Sequence, residues 1–220
     1  MTRHIPYSIL AVMILLAFTP GFDLFFTGLF HNETEWFFWR YALPLEFVRK
    51  ALPTLIIGVG VFLLLIGLAN LWLKDNIFNM TRRAMAYLLL TILLGPGLIV
   101  NLLFKEHWGR ARPTTIVEFG GRQNFTPPFV MTDQCDGNCS FASGHAAIAF
   151  WTFALAMLLP PAWRVRAGWA AICFGFLIGL VRVIQGAHFY SDVMSAGIVT
   201  VGVALALRPL LKSGTGTPRA

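Results

Sequence analysis

Charge is what this chain has least of. Only 12% of its 220 residues are Asp, Glu, Lys or Arg, and just ten of them are acids. A soluble domain carries about a quarter charged residues, so an ordinary water-covered surface is excluded. Cysteine is scarce too: three residues are too few for a disulfide scaffold. No histidine pair stands at metal-ligand spacing beside them, which argues against a zinc site and for no bound metal. Neither a solenoid-type repeat nor a low-complexity tract occurs, although the Gly/Thr/Pro tail from Ser213 to Ala220 reads as frayed. The basic excess, net +7 with a pI near 9.8, is spread out rather than gathered into an exposed basic module, so no nucleic-acid partner is expected.

What is there is apolar. Hydrophobic residues make up 57% of the chain and aromatics 14%, with a mean hydropathy of +0.69. A bilayer core of about 30 Å needs about 20 apolar residues per helix. Six runs of suitable length are expected to span: residues 6–22, 51–73, 85–104, 144–161, 167–185 and 191–211. The first has Arg3 and His4 ahead of it like a secretory signal, but Ala17-Phe-Thr-Pro-Gly offers no small-x-small cleavage site, so it reads as an uncleaved helix. The fold class is therefore all-α: a polytopic membrane protein of six helices in one domain, residues 1–220. Trp36, Phe37, Phe38, Trp39 and Tyr41 form a cluster that reads as an interfacial anchor. Gly175 and Gly179, four apart in the fifth run, suit close packing against another helix of the same chain.

Lys and Arg tend to stay on the cytoplasmic side of a membrane. With six spans both termini share one side, which collects nine cations, among them Arg3, Lys74, Arg82, Arg83 and Lys212; the other side holds eight. Setting Lys105, Arg112 and Arg182 aside as functional leaves nine against five, so the termini are expected to be cytoplasmic. The two substantial loops, residues 23–50 and 105–143, then face outward, and chemistry belongs where the chain spends its loop residues.

Three outward stretches carry that chemistry: Lys105-Glu-His-Trp-Gly-Arg-Ala-Arg112-Pro113, Ser143-Gly144-His145 and Arg182-Val-Ile-Gln-Gly-Ala-His188-Phe-Tyr-Ser-Asp192. Lys105, Arg112 and Arg182 are donors without acceptors, suited to cradle a phosphate dianion. Ser143 stands where the N-cap of the fourth helix belongs, leaving backbone N–H groups near Gly144 and His145 for an anion. His188 and Asp192 are four apart, one helical turn, so the carboxylate is expected to hold the ring N–H and make His188 a nucleophile. His145, from another helix, would be the general acid. His4, His31 and His107 receive no role.

In this order the pattern Lys-x6-Arg-Pro, Ser-Gly-His, Arg-x5-His-x3-Asp resembles the type 2 phosphatidic acid phosphatase superfamily, which also includes soluble vanadium-dependent haloperoxidases. The match covers residues 105–192 directly, and the six-helix layout extends it over nearly the whole chain. Two positions depart from the common wording: Ala142 precedes Ser143 where Pro is usual, and Val181 precedes Arg182 where Ser is usual. The resemblance implies a phosphoenzyme on His188 supported by Asp192, His145 as acid, and Lys105, Arg112, Ser143, Gly144 and Arg182 holding the phosphoryl group, with no cofactor. Trp108-Gly-Arg-Ala-Arg-Pro, Glu118-Phe-Gly-Gly and Cys135-Asp-Gly-Asn-Cys139-Ser-Phe-Ala-Ser-Gly-His are similar to the bacterial branch that dephosphorylates lipid A at the 1 or 4′ position.

That resemblance implies a phosphorylated membrane lipid as substrate, a place in the bacterial inner membrane, and a periplasmic site. Phosphatidylglycerophosphate and undecaprenyl pyrophosphate stay open as substrates, as do a lipid phosphotransferase and a non-catalytic lipid-phosphate binder or transporter. Oligomeric state stays open. Cys135 and Cys139 would face an oxidising compartment, where CxxxC suits either a disulfide or two free thiols; Cys173 reads as a small core residue.

Overall fold

A computed structural model describes residues 11–16, 19–73 and 81–211. Much of the expected first span, the tail from Ser213, and the orientation residues Arg3, Lys74, Lys212 and Arg219 lie outside the described residues. Those described are helical, apart from loops and two isolated β-bridges, Asn32 with Trp36 and Ile116 with Gln123. The helices are α1 (Pro20–Gly28), α2 (Leu43–Leu73), α3 (Arg82–His107), α4 (Gly144–Ala156), α5 (Pro161–Ile184) and α6 (Tyr190–Leu207). Residues 11–16 are helical as well.

Among the described residues four helices are long and apolar enough to cross a membrane: α2, α3, α5 and α6, the last continued by a 3-10 turn to Leu211. The fourth expected span is shorter than the hydropathy suggested. The chain turns after Ala156, and Pro160-Pro161 open the next helix. Thirteen residues at 1.5 Å give about 20 Å, short of a full crossing. The second helix is instead longer than the apolar run, starting at Leu43. Charge ends the hydrophobic stretch there but not the helix, because Glu46 pairs with Arg49 at 2.7 Å and Lys50 at 3.8 Å along one face. That charged head carries Arg49 and Glu46 to the functional site.

Inside α3, the segment Leu93–Phe104 winds as a π-helix around Pro96, which has no N–H to give. The Asn101 side chain donates to the Pro96 carbonyl at 2.7 Å, and the widened segment ends at Lys105. Packing relies on close approach, as it must where lipid offers helices little hydrophobic incentive to associate. A Cβ on Gly175 would strike the Phe150 ring and one on Gly179 would strike Val193, so this pair of glycines in α5 packs within the chain. Trp151 in α4 is fully buried and donates from Nε1 to Thr91 Oγ1 at 3.0 Å; Tyr87 Oη donates to the Ala204 carbonyl at 3.1 Å. These bonds tie α3 to α4 and α6 beneath the site.

Candidate active site

The loop between α3 and α4 brings the three motifs together through its backbone. Cys139 N–H donates to the Lys105 carbonyl at 3.0 Å and Ser140 N–H to the Arg110 carbonyl at 2.9 Å. Thr114 N–H reaches the Gly186 carbonyl at 3.2 Å, and Ser143 N–H the Asp192 carbonyl at 3.2 Å. Ser143 caps α4 as its position suggested, accepting from Ala146 N–H, and Gly144 leaves room for Asn101, whose Oδ1 would stand 2.5 Å from a Cβ there. At the end of α5 the chain reverses through Gly186, whose φ of +65° and contact with the Phe37 ring both call for glycine. This turn presents His188.

His188 is buried, and its Nδ1 lies 2.7 Å from the Ser140 carbonyl oxygen. A carbonyl only accepts, so Nδ1 carries the proton and Nε2 the lone pair. Burial pushes the imidazole down to about 3, with Asp192 opposing and the charges of Lys105 and Arg112 adding to the shift. The ring is neutral at physiological pH.

The i,i+4 spacing led to the expectation that Asp192 would hold this proton; the carboxylate is instead 3.7 Å from Nδ1, beyond hydrogen-bond range. As the third residue of α6 it turns back on its own helix end, accepting from Phe189 N–H at 2.8 Å. Ser140 Oγ and Arg110 Nη1 each donate to it at 2.5 Å. Asp192 thus holds Ser140, and Ser140 holds His188.

Arg110 and Asp23 are the polar residues that sequence reasoning passed over. Arg110 is fully buried, donating to Asp192, to Ser191 Oγ at 2.8 Å, to Asp23 Oδ2 at 2.9 Å and to the Thr126 carbonyl at 2.9 Å. Its guanidinium lies 4.4 Å from the Phe189 ring centroid. Asp23, in α1, also accepts from Ser191 N–H at 2.8 Å. A signal existed: Arg110 sits inside the quoted Trp-Gly-Arg-Ala-Arg-Pro string, and Asp23 is a lone acid at the end of an apolar run.

Lys105, Arg112 and Arg182 lie close enough to the histidines and to one another for their charges to be felt. Lys105 and Arg112 act electrostatically on His188, Arg112 and Arg182 on Lys105, and Arg182 and Lys105 on His145. The half-buried His145 lies with Nε2 3.1 Å from the Arg49 carbonyl oxygen. Arg112 donates from Nη2 to the Asn138 carbonyl at 2.6 Å and to Asn138 Oδ1 at 3.1 Å. Asn138 belongs to a small loop closed by a disulfide between Cys135 and Cys139. Arg182 is buried, with Nη1 donating to Gln185 Oε1, whose amide donates to Glu46 Oε1 at 3.1 Å and to the Arg40 carbonyl at 3.1 Å. The aromatic cluster is more than an anchor: Phe37 is buried against Phe119, and Trp36 Nε1 donates to the Phe119 carbonyl at 2.9 Å, while Trp39 and Tyr41 stay exposed. Cys173, expected in the core, is exposed on α5.

A buried imidazole, guanidinium groups and a helix N-terminus, beside helices long and apolar enough to cross a bilayer, suit phosphoryl chemistry at a membrane, and similarity to known proteins makes the class a phosphomonoester hydrolase. The PAP2 superfamily matches residues 84–213 of the chain. A lipid A 4′-phosphatase of Francisella tularensis subsp. novicida (strain U112) is 38% identical over 181 residues, 81% of each chain. One from Rhizobium leguminosarum is 38% identical over 56% of this chain and 53% of its own, and a lipid A 1-phosphatase of Rhizobium etli is 38% identical over 50% and 43%. No solved structure matches. The chain belongs to the PAP2 superfamily.

Proposed function

We propose that this protein removes a phosphate from lipid A, at the 4′ position, through a phosphohistidine on His188. The chemistry rests on one observation above all: the His188 Nδ1–H is committed to the Ser140 carbonyl at 2.7 Å, which leaves the Nε2 lone pair for phosphorus. The substrate rests on the Francisella lipid A 4′-phosphatase, similar over most of both chains, whereas the lipid A 1-phosphatases align over half of this one.

In the first step Nε2 attacks phosphorus in line, the P–O bond to the sugar breaks, and His145 protonates the departing alkoxide. Water, deprotonated by His145, then attacks the phosphohistidine; the P–N bond breaks and inorganic phosphate leaves. Lys105, Arg112 and Arg182 with the N–H groups at Ser143-Gly144 meet the charge on the equatorial oxygens without reorganising. These fixed cations supply what divalent metals supply elsewhere, so activity should survive chelators; loss in EDTA restored by a divalent ion would sink that account.

The chain forms one domain with six apolar segments in the inner membrane of a bacterium. The run over residues 6–22 and the short α4 complete the set begun by the four long helices. The termini lie in the cytoplasm and the site at the periplasmic face, as the count of flanking Lys and Arg favours.

The test is release of phosphate by purified protein from lipid A, phosphatidylglycerophosphate and undecaprenyl pyrophosphate. Lipid A should turn over fastest, and mass analysis of the product should locate the loss at 4′. Equal rates on all three would refute the assignment.

A further inference from the structure

A polar cavity of about 240 Å³ is lined by Arg40, Glu46, Arg49, Arg112, Arg182 and Gln185 among others. Arg112 and Arg182, assigned above to the phosphoryl group, belong to this lining, whereas Lys105, His145 and His188 do not. Four guanidinium groups therefore face one carboxylate. That carboxylate is already taken, since Arg49 holds Glu46 through Nε and Nη2 at 2.7 Å each.

Arg40 is the cation there that neither a motif nor an ion pair accounts for. The rings of Trp36 and Tyr41 hold its guanidinium at 5.0 and 5.7 Å, and its Nη1 is buried without a hydrogen-bond partner. Its charge acts on both Arg112 and Arg182. The Arg182 Nε is likewise buried and unpaired. Like charges crowded around a polar cavity, with donors left over, are complementary to an anion.

We propose that this cavity is a subsite for a second anionic group of the same substrate molecule, a phosphate or a carboxylate on the sugar headgroup, and that Arg40 is its dedicated ligand. The inference rests on the lipid phosphatase reading above. It makes the enzyme selective for headgroups carrying more than the scissile phosphate, because a guanidinium offered to nothing loses its hydrogen bonds and its charge partner together.

The experiment compares kcat/KM, in mixed detergent micelles, for three glycolipids that share the cleavable phosphate. One carries only that phosphate, one a second phosphate, and one an acidic sugar instead. The wild type should favour one of the doubly anionic lipids over the first by about tenfold or more, and Arg40→Ala should reduce that ratio about tenfold. Arg40→Lys should restore part of it, since charge survives but the fork does not. A ratio taken within one preparation is insensitive to the fraction folded. Which lipid shows the effect identifies the anion as phosphate or carboxylate. Unchanged ratios in Arg40→Ala, or wild-type ratios near one, would overturn the subsite while leaving the phosphatase reading intact. A wild type that cleaves none of the three would overturn that reading and the subsite with it.

Discussion

Arg110 Nη1 stands 2.5 Å from Asp192 Oδ1 with neither side chain reaching solvent. The pair is the centre of a buried network that also takes in Asp23, Ser140 and Ser191, and it joins α1, the loop between α3 and α4, and α6. Through Ser140, whose carbonyl receives the His188 proton, the network sets the orientation of the imidazole.

Removing Arg110 should therefore leave two carboxylates buried with no counter-charge. Breaking such a pair from one side costs about 3–5 kcal/mol. Arg110→Ala should lower the thermal unfolding midpoint in detergent far more than Arg112→Ala, whose guanidinium is half-buried at the loop and pairs with a backbone carbonyl. Equal shifts for the two variants would contradict the structural role given to Arg110.

His188 makes stability depend on pH. Its folded pKa, about 3, lies below the ordinary 6.5, so between these values the unfolded chain binds a proton that the folded one refuses. The contribution is whole above about pH 6.5 and is lost progressively as pH falls toward 3. His188→Asn cannot take that proton yet can still donate to the Ser140 carbonyl. Its unfolding midpoint should fall less steeply than that of the wild type between pH 6.5 and pH 4, and identical slopes would exclude His188 as the source.

How much of this was legible in the sequence depends on whether the signal was local. The apolar runs and the N-cap at Ser143 were readable because hydropathy and capping act over a few neighbouring residues. The extension of α2 back to Leu43 was not, since charged residues end a hydropathy run without ending a helix. Nor was the shortness of α4, whose apolar run continued past the turn before Pro160-Pro161. The partners of the candidate site were hidden for a different reason. Asp23 lies 87 positions from Arg110, and His188 donates its hydrogen bond to a backbone carbonyl, a group every residue carries. Spacing alone therefore credited Asp192 with a bond that Ser140 makes.

The Cys135–Cys139 disulfide bounds a loop whose Asn138 carbonyl accepts from Arg112 and whose Cys139 N–H holds the Lys105 carbonyl. Two of the proposed phosphate ligands thus hang on this loop. Reduction, or Cys135→Ser, should free it and lower kcat/KM by about tenfold or more through lost positioning. Reductant should have no further effect on the Cys135→Ser variant. If wild-type phosphate release is the same with and without reductant, the loop does not position these cations.

His145 is half-buried and tied through Nε2 to the Arg49 carbonyl at the head of α2, whereas His188 is fully buried. Two histidines in such different settings should fail differently when removed. An acid matters in proportion to how badly the leaving group needs a proton, and general acid catalysis is worth about 10²- to 10⁴-fold. His145→Ala should therefore lose that much kcat on a sugar phosphate, whose alkoxide is a poor leaving group. On a nitrophenyl phosphate, whose phenolate departs unaided, the loss in the first step should be much smaller, and phosphorylated enzyme should accumulate because its hydrolysis still needs the base. His188→Ala should abolish turnover of both substrates and trap no phosphoenzyme. Equal losses for His145→Ala on the two substrates, with no trapped intermediate, would remove it from the acid role and leave His188 to be explained without it.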